Sequence, residues 1–159
     1  MLRNLLTSLA CCAALASSAA DVWVEAEAFT RKGGWVVDQQ FADLMGSSYL
    51  MAHGLGRQVA DAETTVTVPE DGRYDVYVRT YNWTAPWTSA EGPGAFRVRV
   101  GGKTLPARLG CTGSAWEWQK AGSVKLRKGE TSLALHDLTG FNGRCDALLL
   151  LSLIHISEP

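Results

Sequence analysis

Alternation of apolar and polar side chains over Arg73–Tyr81 most constrains what this chain can fold into. Every second residue from Tyr74 to Thr80 faces one way in an extended segment, and the residues between them face the other way. The turn sequence Pro69–Gly72 comes directly before this segment. A period of two bounded by a turn predicts a β-strand with one buried face.

Similar short runs fill the chain between Asp21 and Leu150, and turns rich in Gly, Pro and Asp separate them. The further predicted strands are Val22–Glu27, Trp35–Val37, Thr64–Val68, Phe96–Val100, Lys103–Leu105, Gly122–Leu126, Thr131–Leu135 and Asp146–Leu150. Gln40–Met45 is the one helix-like window. This spacing predicts an all-β fold, an antiparallel β-sandwich or jelly roll.

The length of 159 residues allows one domain, which is large enough to bury a core. The formal charge is −1, with 15 basic and 16 acidic residues and no charged block. This balance argues against nucleic acid or an anionic membrane as the partner.

The first twenty residues have the pattern of a secretory signal peptide. Arg3 supplies a positive charge, Leu5–Leu15 a short apolar run, and Ser18–Ala20 a small-residue cleavage site. The run is too short for a permanent transmembrane helix, although a retained anchor is the alternative. We therefore expect a mature chain without a membrane span, located in the periplasm or outside the cell.

Two cysteines, Cys111 and Cys145, follow the predicted signal peptide. An exported protein can form a disulfide between them. Two small buried thiols are the alternative, because spacing alone does not show how closely their Cα atoms approach.

Three carboxylates near the ends of the predicted domain form a candidate metal site. In a strand, Glu25 and Glu27 point the same way, and Asp146 opens the last predicted strand. Adjacent carboxylates repel unless a proton or a cation lies between them, and Ca²⁺ prefers such oxygen ligands. In the alternative, one glutamate faces solvent and the other pairs with Arg31 or Arg144.

The segment from Tyr81 to Pro93 is longer than a hairpin between two strands requires. It carries Asn82, Trp83 and Trp87. Aromatic rings stack on the C–H faces of sugars, and amides pair with sugar hydroxyls, so these residues are candidates for sugar binding. Alternatively, the tryptophans cover the sandwich or contact a neighbouring domain.

The remaining candidate ligand residues are Trp118, Asn142 and Arg144. Asn142 and Arg144 lie in the loop before the last strand, where they offer hydrogen-bond donors and, from Asn142, an acceptor. If extended, Trp116 and Trp118 share one face, and since one face of a sandwich is core, a core position is favoured for at least one of them.

We find no catalytic motif. His136 and Asp137 are adjacent, so on a strand they point to opposite faces and cannot orient one another. The sequence contains no G-x-S-x-G, and His53 before Gly54 is typical of a turn. We expect no catalysis from this chain alone.

Taken together, these segments resemble the galactose-binding-like jelly rolls of carbohydrate-binding families 6 and 35. The matching segments are Val24–Glu27, Pro69–Arg79, Val100–Gly102, Trp118, Leu126–Gly129 and Asp146–Leu150. The resemblance implies a structural Ca²⁺ held in part by Glu25, Glu27 and Asp146. It also implies a sugar cleft among the loops at one end of the sandwich.

A second resemblance is to the N-terminal β domain of exported bacterial FAD-dependent oxidoreductases. It rests on Gly33–Phe41, Ala52–Gly56, Tyr81–Trp83 and Leu135–Phe141. The resemblance implies a catalytic flavin domain that is missing downstream. The chain itself has no G-x-G-x-x-G after a strand with which to bind a dinucleotide.

The last nine residues, Leu151–Pro159, resemble a translated sequencing-adapter end. This resemblance implies that the native domain comprises residues 21–150 and that the natural protein continues beyond Leu150. The sequence thus predicts a non-catalytic, glycan-binding accessory module of a larger exported enzyme. A purely structural domain that packs on a catalytic domain without binding sugar is the alternative.

Overall fold

The computed structural model of the protein describes residues 20–153. The predicted signal peptide, apart from Ala20, and residues 154–159 of the predicted tail lie outside the described residues. In the described part, no helix is long and apolar enough to cross a membrane.

Ten antiparallel strands form two sheets, which confirms the predicted all-β sandwich. The larger sheet contains β1 (Val22–Glu25), β2 (Trp35–Asp38), β3 (Tyr49–His53), β5 (Gly72–Thr80), β8 (Glu117–Leu126) and β10 (Phe141–Ser152). The smaller sheet contains β4 (Ala62–Val68), β6 (Phe96–Val100), β7 (Lys103–Thr104) and β9 (Gly129–Asp137). A 3₁₀ turn at Ala26–Ala28 and the short helix α1 (Ala42–Met45) complete the described elements.

The core lies between the two sheets. β5 contributes Tyr74, Val76 and Val78, all fully buried, as its alternation predicts. Leu133 and Leu135 of β9 face them from the smaller sheet. Burial of such side chains contributes about 1.5–3 kcal/mol each, so the residues buried at every second position contribute much of the folding free energy.

The twelve-residue strand β10 organises the larger sheet. It pairs along one edge with β5, and along the other first with β3 and then with β1. Register shifts occur between Phe141 and Arg144 and again between Cys145 and Ala147. Each shift inserts one extra residue, and such a bulge changes the direction of the local side chains.

The boundaries of several elements differ from the prediction. β3 is absent from the predicted strands, because its run of apolar residues lacks alternation. β8 begins at Glu117, whereas the prediction began it at Gly122. The prediction missed its first part because that part is mostly polar; it pairs with β5 beyond a register shift between Val76 and Tyr77. β1 stops at Glu25, so Glu27 lies in the 3₁₀ turn, and the strand argument for a shared direction of the two glutamates was wrong.

The last strand continues past the predicted domain boundary at Leu150. Leu151 pairs with Asp75, and the backbone N–H of Ser152 donates to Asp21 Oδ1 at 2.8 Å. The first two residues of the proposed adapter tail thus extend the sheet.

Cys111 and Cys145 are free and buried, which matches the second of the two alternatives for the thiols. Burial raises the pKa of both thiols. Both side chains therefore remain neutral at pH 7.

We expect Leu148→Ala to destabilise the protein by about 2–5 kcal/mol, because Leu148 is 0% exposed and its loss leaves a cavity between the sheets. Chemical denaturation measures the difference. The matched control is Leu44→Ala at an exposed helix position, with an expected change within about 0.5 kcal/mol. Equal effects of the two substitutions would contradict this packing.

Candidate functional site

An aromatic cleft of about 400 Å³ lies at one end of the sandwich. Its walls come from the loop before α1, the long insertion between β5 and β6, and the start of β10. The lining residues are Gln40, Phe41, Tyr81, Trp83, Pro86, Trp87, Asn142 and Arg144. Four of these eight side chains are aromatic, and none is acidic.

Trp83 is held firmly in this cleft. Its ring stacks on Phe141 with centroids 5.7 Å apart, and its Nε1–H donates to the Phe141 carbonyl at 3.0 Å. Trp87 meets Trp83 edge to face at 6.3 Å and is 76% exposed. The pair thus presents one fixed ring and one open ring to the solvent.

Arg144 supplies the only formal charge among the lining residues. Its guanidinium lies 5.7 Å from the Trp83 ring centroid and 6.0 Å from that of Phe41, which are cation–π distances. Nη1 donates to the Asn142 carbonyl at 3.0 Å. The buried Nε–H has no hydrogen-bond partner among the described residues.

Asn142 owes its position to the first bulge of β10. Its φ of 63° is left-handed, a conformation that asparagine tolerates better than most residues. Its Oδ1 lies 3.2 Å from His53 Nδ1. The bulge therefore places an amide at the rim of the cleft.

A cluster of aromatic rings supports the cleft from below. Trp116 stacks on Tyr81 at 5.5 Å and contacts Phe41 and Tyr49 at 5.9 and 5.0 Å. Burial, together with a hydrogen bond to Asp38, raises the pKa of Tyr49 to about 12. Its hydroxyl is thus protonated at neutral pH.

The structure brings together four of the six predicted ligand residues: Trp83, Trp87, Asn142 and Arg144. Asn82 is buried and faces a neighbouring cleft on the other side of the insertion. Trp118 does not reach the loops: it is 40% exposed on the larger sheet and packs against Trp23 at 5.2 Å. Trp118 belongs to β8, so a role in ligand binding for this residue stays a prediction that is separate from the cleft.

Sequence reasoning missed Gln40, Phe41, Tyr81 and Pro86 as lining residues. Gln40 and Phe41 belong to a loop far from the insertion in the sequence, and no local pattern connects the two. Tyr81 and Pro86 lay inside the segment from Tyr81 to Pro93 that the analysis did single out.

A second groove, of about 490 Å³, lies on the smaller sheet. Its charges neutralise one another, since Arg99 pairs with Asp61 at 2.8 Å and Arg31 pairs with Glu63 at 2.9 Å. It contains no aromatic ring. The aromatic cleft is therefore the better candidate for ligand binding.

The three predicted metal-ligand carboxylates influence one another. Burial raises the pKa of Glu27, and the nearby charges of Glu25 and Asp146 raise it further. Burial likewise raises the pKa of Asp146, against the lowering effect of Arg79. The second bulge of β10 places Asp146 in this cluster, near the end of β1.

One carboxylate of this cluster is free to bind a cation, and the other two are engaged by neighbouring side chains. Glu27 Oε2 is buried without a hydrogen-bond partner among the described residues, which leaves a free carboxylate ligand. Asp146, however, bonds Arg79 at 3.1 Å and Ser47 at 3.2 Å, and Glu25 accepts from Trp23 at 2.7 Å. Within residues 20–153, no three His, Cys, Asp or Glu side chains converge into a metal-binding group.

Both histidines outside the predicted tail contact a polar side chain, His53 through Asn142 and His136 through Asp61. His136 Nδ1 lies 2.8 Å from Asp61 Oδ1, while Asp137 accepts the backbone N–H of Val59 at 2.8 Å. His136 and Asp137 thus have separate partners, as the strand argument predicted.

No protein-family profile matches the sequence, and no curated protein matches it. Solved structures do match. A family 35 carbohydrate-binding module from Clostridium thermocellum superimposes with a TM-score of 0.63 at 22% identity, over 84% of this chain and 99% of that one. The chain has the fold of these modules.

Two further structures extend this finding. A GH26-CBM35 β-(1,4)-mannanase from Podospora anserina matches with a TM-score of 0.63 at 18% identity, over 88% of this chain and 28% of that one. A further match is the CBM36-1 domain of a multidomain xylanase from the hindgut metagenome of Trinervitermes trinervoides. It has a TM-score of 0.56 at 16% identity, over 82% of this chain and 95% of that one. The chain thus spans about a quarter of the mannanase and nearly all of the isolated modules.

We expect Glu27→Gln to stabilise the metal-free protein at pH 7. The fold raises the pKa of Glu27 above its usual value of 4.5, so protonation of Glu27 stabilises the folded protein. This stabilisation is complete below about pH 4.5 and is lost as the pH rises through the pKa of Glu27 in the folded state. Glutamine resembles the protonated form and retains this stability. Thermal denaturation in chelator at several pH values measures the difference between the variant and the parent protein.

The advantage of the variant should disappear as the pH falls toward 4. Glu63→Gln, at a half-exposed carboxylate on the smaller sheet that pairs with Arg31, is the matched control and should show no such gain. An advantage that does not depend on pH would contradict the assigned cause.

Proposed function

We propose that this protein is a non-catalytic module that binds carbohydrate in the aromatic cleft. The carrying observation is the pairing of Trp83 and Trp87 beside the polar groups of Asn142 and Arg144. Sugars combine flat C–H faces with hydroxyls, so they fit a site with both rings and fixed donors. The fold shared with carbohydrate-binding modules supports the proposal.

The role is that of an accessory to a catalytic domain. A module with this fold occurs within a β-(1,4)-mannanase, where it makes up a minor part of the chain. By binding a glycan, such a module keeps an attached enzyme near its substrate. That the attached domain is an FAD-dependent oxidoreductase, and that the protein is exported, rests on sequence resemblance and on the signal-peptide pattern.

A structural Ca²⁺ is also part of the proposal. Glu27 would bind the ion through its free oxygen, and Glu25 and Asp146 would join it by exchanging their contacts with Trp23 and Arg79 for the ion. The ion would supply positive charge beside Glu27 and Asp146, whose pKa values burial and the nearby charge of Glu25 raise, and so would stabilise the fold.

Docking to a neighbouring domain is the second candidate function. Leu55 and Phe141 are exposed at the same end of the sandwich as Trp87, and Phe141 lies within 4 Å of where a Cβ of Gly56 would be. Together they form an apolar surface beyond what a sugar requires. In this case the cleft residues would contact protein instead of glycan.

The first test is glycan binding by the parent protein and by Trp87→Ala. We expect a sugar from a broad panel to quench tryptophan fluorescence, and the variant to lose about tenfold or more in affinity, since the exposed ring is the stacking surface. Isothermal titration calorimetry measures both affinities.

Trp118→Ala is the matched control, because it also removes a partly exposed tryptophan, but away from the cleft. It should retain full affinity. Equal losses in both variants, or no binding of any glycan by the parent protein, would overturn the proposed function.

The calcium proposal has its own test. Millimolar Ca²⁺ should raise the melting temperature of the parent protein relative to chelator, because binding to the folded state alone stabilises it. Glu27→Gln should lose most of this increase and Glu63→Gln should retain it. No increase in the parent protein would contradict a calcium site.

A further inference from the structure

A second cleft adjoins the aromatic cleft on the opposite side of the insertion. Its volume is about 510 Å³, and it lies between residues 82–91 and 111–114. The lining residues are Asn82, Ala85, Thr88, Ser89, Ala90, Glu91, Cys111, Thr112, Gly113 and Ser114. We call it the polar cleft, because its walls carry four hydroxyls, an amide and a carboxylate but no aromatic ring.

The polar cleft is built around a buried amide. Asn82 is 3% exposed, and its Oδ1 accepts the Thr84 hydroxyl at 3.0 Å. Its Nδ2 has only a long contact of 3.5 Å with the Gly113 carbonyl. The amide therefore retains most of its donor capacity for a ligand.

The walls of the polar cleft are fixed before any ligand binds. The Gly92 N–H donates to the Cys111 carbonyl at 2.7 Å and joins the two walls. A Cβ at Gly92 would lie 1.9 Å from Asn82 Oδ1, so only glycine allows this close approach. Within the insertion, Ala85 N–H donates to the Asn82 carbonyl and Ala90 N–H donates to the Thr88 hydroxyl, both at 3.0 Å.

The insertion thus has two faces of different chemistry. Trp83 and Pro86 face the aromatic cleft, while Ala85 and Thr88 face the polar cleft. Trp87 lies between Pro86 of the aromatic cleft and Thr88 of the polar cleft in the sequence, and its side chain is largely exposed. A chain-like ligand stacked on Trp87 can extend from one cleft toward the other.

The polar cleft favours an uncharged, hydroxyl-rich group. Hydroxyls and amides pair with sugar hydroxyls in both donor and acceptor roles. The Glu91 carboxylate pairs with Arg108 at 3.2 Å, so the lining residues of this cleft present no unpaired charge to attract an ion. Burial raises the pKa of Cys111, so this part of the wall is neutral at pH 7.

We propose that the polar cleft is a second subsite, which holds a neutral sugar unit next to the unit stacked in the aromatic cleft. The ligand class is therefore an oligosaccharide or an internal stretch of a polysaccharide, rather than a single sugar. This inference rests on the proposed function and specifies its ligand. The aromatic cleft supplies stacking, and the polar cleft supplies hydrogen bonds that require a defined sugar at the neighbouring position.

The experiment measures affinity against ligand length by isothermal titration calorimetry. The ligands are glucose, galactose, mannose and xylose, and the β-1,4-linked oligosaccharides of each with two to six units. For the series that binds, the parent protein should gain at least about tenfold in affinity between one unit and three.

Two variants locate the source of this gain. Ser114→Tyr fills the polar cleft from an exposed position, and it should abolish the gain while leaving the affinity for the single sugar unchanged. The double substitution Ser89→Ala with Ser114→Ala removes two hydroxyls without adding bulk, and it should reduce the gain. Thr67→Tyr, exposed on the smaller sheet, is the matched control and should behave as the parent protein does.

The outcomes separate this inference from the proposed function. Single sugars that bind as tightly as oligosaccharides, or a gain that survives Ser114→Tyr, would overturn the second subsite and leave the aromatic cleft standing. A Ser114→Tyr variant that weakens the single sugar equally would also overturn it, because the two clefts would then act as one. No binding by the parent protein to any of these ligands would overturn the second subsite, and the proposed function falls as well if the broad glycan panel also fails to bind.

Discussion

Backbone pairing along β10 is the interaction on which the rest of the structure depends. This strand hydrogen-bonds to β1, β3 and β5, so it joins the start, the middle and the end of the described chain in one sheet. Its pairing is interrupted twice, and each interruption serves a candidate site. The first bulge places Asn142 at the aromatic cleft, and the second places Asp146 in the carboxylate cluster. In a regular strand, Asn142 and Asp146 would lie on the same face as the core residues Leu148 and Leu150, so the bulges are needed to turn them toward the two sites.

The two sites differ in how the fold handles charge. In the aromatic cleft, the guanidinium of Arg144 rests against two rings, so part of its desolvation is offset by cation–π attraction. In the carboxylate cluster, burial and mutual repulsion raise the pKa of Glu27 and Asp146, and one ion pair with Arg79 offsets this only in part. The first arrangement leaves the buried Nε–H of Arg144 without a hydrogen-bond partner among the described residues, which a ligand acceptor would satisfy. The second leaves an unbonded carboxylate oxygen, which a bound cation or a proton would satisfy.

The sequence was informative wherever a local period decides the structure. The alternation in Arg73–Tyr81 correctly assigned β5 and its buried face, and regular turns indicated the sandwich. Features that depend on the fold as a whole were not predictable: neither bulge has a local signal, and β3 lacks alternation. Trp83, Trp87, Asn142 and Arg144 lie in segments that the sequence marks, namely the long insertion and the loop before the last predicted strand, so they could be named as candidates. Gln40 and Phe41 come from a loop distant in the sequence that no local pattern connects to the insertion. The position of Trp118 outside the cleft was not predictable, because β8 begins earlier than its apolar pattern suggests.

Titration of the isotopically labelled protein with its sugar ligand, followed through the tryptophan indole N–H signals by NMR, tests the central claim most directly. The account predicts that the Trp83 and Trp87 signals shift together and saturate with the binding isotherm. The signals of Trp23 and Trp118 on the larger sheet, and of the buried Trp35, should remain in place. Shifts confined to Trp23 and Trp118 would contradict the account, because the ligand would then lie on the larger sheet rather than in the aromatic cleft.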